Sequence, residues 1–136
     1  MLNLAFGWIW ITMGFLSGAA LGLGFHRDQF MGGYDSWSRR MVRLGHIAFF
    51  GTGFLNLAYA WTRFMASPAS VQVRSSWWWA SWMLIVGGIA MPLCCLLCAR
   101  WKEAKPIFVL PVVALTSGGV LMCVILIRTM QSGGAL

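Results

Sequence analysis

Acidic residues are nearly missing from this chain: Asp28, Asp35 and Glu103 are the only three among 136 residues, and none falls inside a long apolar run. Proton relays and cation-coupled small carriers depend on an acid at membrane depth, so the sequence fits neither a proton channel nor a small multidrug carrier. Histidine is equally scarce, with His26 and His46 alone, and no nucleophile stands beside either in a pattern that specifies Ser–His or Cys–His catalysis. No strand and spaced-glycine loop precedes a helix start, so a nucleotide phosphate site is not indicated. Four cysteines are present, Cys94, Cys95, Cys98 and Cys123, but a zinc centre needs a second pair at suitable spacing and a loop to shape a tetrahedron. They read as small, polarizable packing residues in a reducing compartment. Nine methionines show no Met-x-Met array, which leaves copper handling without support. Charged residues make up only 10% of the chain, against about 25% in soluble domains. An independent enzyme or a separate soluble domain is therefore not expected.

Hydrophobic residues make up 60% of the sequence and the mean hydropathy is +0.76. A helix that crosses a bilayer needs roughly 20 predominantly apolar residues, and four runs supply them, at 2–24, 41–62, 77–99 and 107–127. The expected fold is an all-α integral membrane protein, an up-down bundle of four transmembrane helices forming one domain over 1–136. The first run lacks a preceding Lys or Arg and would extend about 33 Å at about 1.5 Å per residue, so it reads as a retained helix rather than a cleaved leader. Arg27, Arg39, Arg40, Arg43, Arg100, Lys102 and Lys105 fall on one predicted face, and Arg63, Arg74 and Arg128 on the other. The excess of basic residues marks the cytoplasmic side, which puts both termini on the non-cytoplasmic side. The expected location is a bacterial inner membrane. The net charge of +7 then reflects topology and affinity for anionic headgroups, not nucleic acid.

Tryptophan clusters at the ends of the runs: Trp61 closes the second, Trp77, Trp78, Trp79 and Trp82 open the third, and Trp101 follows it. Such a distribution is an interfacial belt, and Ser75–Ser76 before the Trp run suits a helix N-cap. Gly14, Gly18 and Gly22 keep four-residue spacing along the first run, with Gly7 on the same side, a face that permits close helix approach in lipid. The stripe leaves open whether its partner is internal or another subunit. In the connection after the first run, Gly32–Gly33 predicts a turn, and Asp35 or Ser36 is placed to cap an interfacial helix that continues into the second run. Trp37, Arg39, Arg40 and Arg43 would then meet lipid phosphates or a docking partner.

The second run carries most of the chemistry. At 100° per residue Gly45, Ala48, Phe49, Thr52, Asn56 and Tyr59 share one stripe, with His46 and Gly53 on its flank, while Ile47, Phe50, Phe54 and Ala58 form the other face. Asn56 and Thr52 read as interhelical hydrogen bonders. Gly53 is expected to open room beside His46, for a bulky aromatic or the edge of a porphyrin. His46 itself has two readings: a neutral imidazole held by a carbonyl or by Asp28 or Asp35, or a ligand to haem b or donor to a quinone carbonyl. A second imidazole would have to be His26, at the inner end of the first run.

In size and span number, though not in any motif, the chain resembles four-helix membrane cytochromes and the anchor subunits of quinone enzymes. Those families supply buried histidines from at least two helices; here only His46 lies well inside a run. The expected function is accordingly a small accessory or anchoring subunit of a larger membrane complex, foremost a redox or energy-converting one, in contact with lipids and other subunits. The alternatives are a haem- or quinone-binding subunit using His46 and His26, and a small solute transporter working as a dimer.

Overall fold

The computed structural model describes residues 1–66 and 71–133, with side chains over 1–66 and 75–131. Four long helices follow in chain order: α1 (Leu2–Phe25), α2 (Trp37–Ala66), α3 (Val71–Arg100) and α4 (Val109–Gly133). Short 3-10 segments at Phe30–Gly32 and Lys102–Phe108 lie in the first and third connections, and no strand occurs among the described residues. Neighbours in sequence are neighbours in space: α2 packs on α1 and α3, and α4 packs on α3. Contacts pair the start of α1 with the end half of α2 (Asn3 with Asn56) and the end of α2 with the start half of α3 (Tyr59 with Trp77). Consecutive helices therefore run antiparallel, as short connections require.

Three helical segments, comprising α1, α3 and α4 with the 3-10 turn before it, are long and apolar enough to cross a membrane. The second run, expected to be a fourth of the same kind, is not: His46, Thr52, Asn56 and Tyr59 lower its average. Those residues are not scattered. Gly45, Thr52, Gly53, Asn56 and Tyr59 are buried on the predicted stripe, and Ile47, Phe54 and Ala58 on the opposite face are exposed. Phe50 departs from the expectation, half-buried against α1 at Gly14. A core cluster of Tyr59, Trp77, Ala80, Leu84 and Ile125 joins α2, α3 and α4. Trp77 is fully buried there, so of the Trp run only Trp78, Trp79 and Trp82 keep the exposure that a belt requires.

Close approach of α1 and α2 occurs at Gly7 and Gly53. A Cβ on Gly53 would lie 2.9 Å from Ile11 Cγ1 and 3.1 Å from the Gly7 carbonyl oxygen, so the crossing needs the missing side chain. The partner of the glycine stripe is thus internal: Gly14 receives the Phe50 ring and Gly18 the His46 ring, while Gly22 meets nothing.

Pro92 sits inside α3. Proline has no N–H for the carbonyl four residues back, which leaves Gly88 without its helical donor. Trp10 supplies one, its Nε1–H donating to the Gly88 carbonyl at 3.0 Å. The kink-prone turn of α3 is thereby tied to α1.

In the first connection, Gly32 and Gly33 adopt φ of +84° and +91°, the turn predicted from the pair. Ser36 is the cap of α2: its Oγ accepts the Arg39 backbone N–H at 3.2 Å. The expected Ser75–Ser76 cap is displaced, because α3 already begins at Val71 and both serines lie within it. Residues 67–70 of the second connection and the Arg74 side chain lie outside the described set.

Replacing Gly53 by leucine forces α1 and α2 apart, a cost of about 1–3 kcal/mol for overpacking. Thermal unfolding of the purified protein in detergent should show a clear fall in midpoint for Gly53→Leu. Gly119→Ala, where an added Cβ meets nothing within 4 Å, should leave the midpoint unchanged or raised.

Candidate functional site

Much of the start of α2 is turned onto its neighbours and finishes their ends; Arg39 in particular is buried rather than presented outward. The last carbonyls of a helix have no partner within the helix. Arg39 is 6% exposed. It reaches the end of α1, with its guanidinium donating to the Phe25 carbonyl at 3.3 Å and to the Asp28 carbonyl at 3.5 Å. It also lies over the Phe25 ring, 4.3 Å from the centroid. Its Nε finds no acceptor among the described residues, and the negative end of α1 is what offsets the buried charge.

Trp37 and Ser38 do the same for α3: Trp37 Nε1–H donates to the Cys98 carbonyl and Ser38 Oγ–H to the Ala99 carbonyl, both at 2.8 Å. Lys105 lies over the Trp37 ring at 4.7 Å. Arg43 stacks on Tyr34, 4.8 Å from its centroid, so of the three arginines only Arg40 is exposed.

His46 lies against α1. Its Nδ1 is 3.0 Å from Ser17 Oγ, and a Cβ on Gly18 would come within 2.7 Å of its Cε1 and 3.3 Å of its Nε2. Phe50 meets the imidazole edge-on at 5.3 Å. Both ring nitrogens therefore look into packed protein. Gly53 opens no room there, because Ile11 and the Gly7 backbone occupy its space. His26 is exposed at the C-cap of α1, eight residues beyond Gly18, or about 12 Å along the axis. A bis-imidazole iron needs both rings on opposite sides of one metal, and the helix does not bring these two together. The residues do not fit a haem.

A polar cluster between α1, α2 and α3 joins Asn56, expected as an interhelical bonder, to Asn3 and Ser81, which were not anticipated from the sequence. Asn3 Nδ2–H donates to Asn56 Oδ1 at 2.8 Å, and Ser81 Oγ–H donates to Asn3 Oδ1 at 2.5 Å. Asn56, fully buried, donates from Nδ2 to the Thr52 carbonyl at 2.9 Å and the Leu84 carbonyl at 3.3 Å. Thr52 closes on Ala48 at 2.6 Å, and Tyr59 donates to the Trp77 carbonyl at 2.5 Å. Both amides use donor and acceptor groups on protein partners, so the cluster is a structural clasp. Asn56 was legible as an inward bonder; Asn3, Ser17 and Ser81 were signalled only as lone polar residues within apolar runs.

The cysteines pack. Cys94, Cys95 and Cys98 are buried on α3, and Gly45 admits the Cys95 side chain, to which an added Cβ would come within 3.1 Å.

A lateral cleft of about 970 Å³ opens between the start of α1 and the end of α2. Trp8, Phe54, Trp61 and Phe64 line it with large exposed rings, and Arg63 is the one Lys or Arg among its described lining residues. Small-molecule sites span about 300–1,000 Å³, so the cleft is of ligand size. No family model, curated protein or solved structure matches the chain.

Two outcomes are expected. A double-mutant cycle of Asn3→Ala and Asn56→Ala should return a coupling energy of about 0.6–2 kcal/mol, measured by unfolding in detergent; strictly additive losses would show that the two amides act separately. The dithionite-reduced protein should show no b-type bands, because both nitrogens of His46 face α1. Sharp bands abolished by His46→Ala would restore the ligand reading.

Proposed function

We propose that this chain is a small accessory or anchoring subunit of a larger membrane assembly, with four spans and both termini on the non-cytoplasmic side of a bacterial inner membrane. The observation that carries the reading is the distribution of apolar surface. Half of the apolar window of α3 is buried, but only 17% of the corresponding windows of α1 and α4. The two outer helices thus offer long apolar faces to lipid or to helices of other subunits. Polar groups at depth are meanwhile consumed by the Asn3–Asn56–Ser81 clasp and the Ser17–His46 contact.

The inward turn of Thr52, Asn56 and Tyr59 supports α2 as the fourth span. Its outer face of Ile47, Phe54 and Leu55 is apolar, and its 30 residues extend about 45 Å, more than the hydrocarbon core of about 30 Å. The inventory of basic residues at its start and around Lys102 supports the orientation. Size and span number, shared with quinone-enzyme anchors and four-helix cytochromes, favour a redox or energy-converting assembly, in which this chain supplies helix contacts and no ligand of its own.

The chain should stay in the membrane fraction through alkaline carbonate washing. After gentle detergent extraction it should migrate on native electrophoresis in a particle much larger than its own 15.1 kDa. Migration solely as a monomer would overturn the subunit reading, and release by carbonate would overturn the membrane reading.

A further inference from the structure

The lateral cleft between α1 and α2 is not absorbed by the packing role. Its floor is the ordered junction of the two helices: Asn3 and Tyr59 line it while making the buried hydrogen bonds to Asn56 and Trp77. Its walls are apolar and aromatic, with Trp8 and Phe54 toward the bundle middle and Trp61 and Phe64 toward the helix end. Arg63 stands one turn beyond Tyr59 on α2, and the described lining residues include no carboxylate. A cleft of this form matches an amphiphile: long apolar chains along the rings and one anionic group at the guanidinium.

We infer that the cleft is a binding site for a single anionic glycerophospholipid, its phosphate held by Arg63 and its acyl chains lying against Trp8, Phe54 and Phe64. Charge complementarity selects this occupant. A neutral quinone head would leave the guanidinium without a counter-charge, and an apolar partner helix would bury it. Trp61, at the helix end beside Arg63, suits the same occupant, since indole is apolar in body and polar at its N–H. Arg63 can bind phosphate through two parallel N–H donors, an arrangement that lysine reproduces only as a point charge. The inference rests on the membrane placement proposed above, but not on assembly with other subunits.

Native mass spectrometry of the delipidated full chain, titrated with phosphatidylglycerol and with phosphatidylcholine of identical acyl chains, tests it. One phosphatidylglycerol should be retained, with roughly five-fold preference over phosphatidylcholine, the factor that one basic residue near a headgroup supplies. Arg63→Gln should reduce the preference to about one, Arg63→Lys should keep part of it, and Arg40→Gln at the far end should leave it intact. Trp8→Ala should weaken retention of both lipids. Equal binding of the two lipids by the unaltered chain would overturn the proposal, as would a preference that survives Arg63→Gln or is lost in Arg40→Gln. Occupation of the cleft by a second copy, read as a dimer that excludes lipid, would also overturn it. The carbonate wash distinguishes these failures from a failure of membrane placement: a chain that stays in the membrane but shows no lipid preference loses only the cleft assignment.

Discussion

Burying a polar group without a partner costs several kcal/mol in an apolar medium, and in this bundle that penalty organises the helix interfaces. Asn3, Asn56 and Ser81 come from three helices and satisfy one another, with two backbone carbonyls taking the remaining Asn56 donors. The cluster sets the rotation of α1 and α3 about α2. Once Asn56 points inward, helical periodicity carries Thr52, Gly45 and Tyr59 inward with it, and Ile47, Phe54 and Leu55 outward. The apolar outer surface of α2 is a consequence of its polar inner one.

The same demand explains the helix ends. The first turn of α2 provides Arg39 to the carbonyl end of α1 and Trp37 and Ser38 to that of α3. A residue group that looks like a charged membrane anchor is in large part a double cap. Inside α3, Pro92 removes one backbone donor and Trp10 of α1 replaces it at Gly88. Glycines then set how near the helices come: Gly7 and Gly53 let α1 and α2 approach at one end, and Gly18 receives the His46 ring at the other. His46 is thereby a packing residue, held between Ser17, Gly18 and Phe50.

With these groups engaged internally, the features left for outside partners are of two kinds. The outer faces of α1 and α4 are broad and apolar, suited to lipid and to other helices. The cleft at the α1–α2 junction is narrower in its chemistry, because it combines aromatic walls with Arg63. The cleft follows from α2 turning its polar stripe inward, which leaves Phe54, Trp61 and Phe64 on the outside at that end.

Much of the helical frame was legible in the sequence. Runs of apolar residues long enough for a bilayer, the Gly32–Gly33 turn, the Ser36 cap and the inward stripe of α2 are local or periodic properties, written into residue order. Composition also pointed to a membrane chain, and three of its helical segments are long and apolar enough to cross one. Tertiary structure alone decided what each polar side chain meets. Asn3 and Ser81 are 78 positions apart and Trp10 and Gly88 likewise, so no local pattern links them. Gly53 was expected beside His46, yet it faces Ile11, because a helix flank says only which way a residue points and not what stands opposite. The cleft is of the same nature. Trp8 and Arg63 belong to different helices, and only the crossing angle and depth of those helices bring an aromatic wall and a cation to one opening.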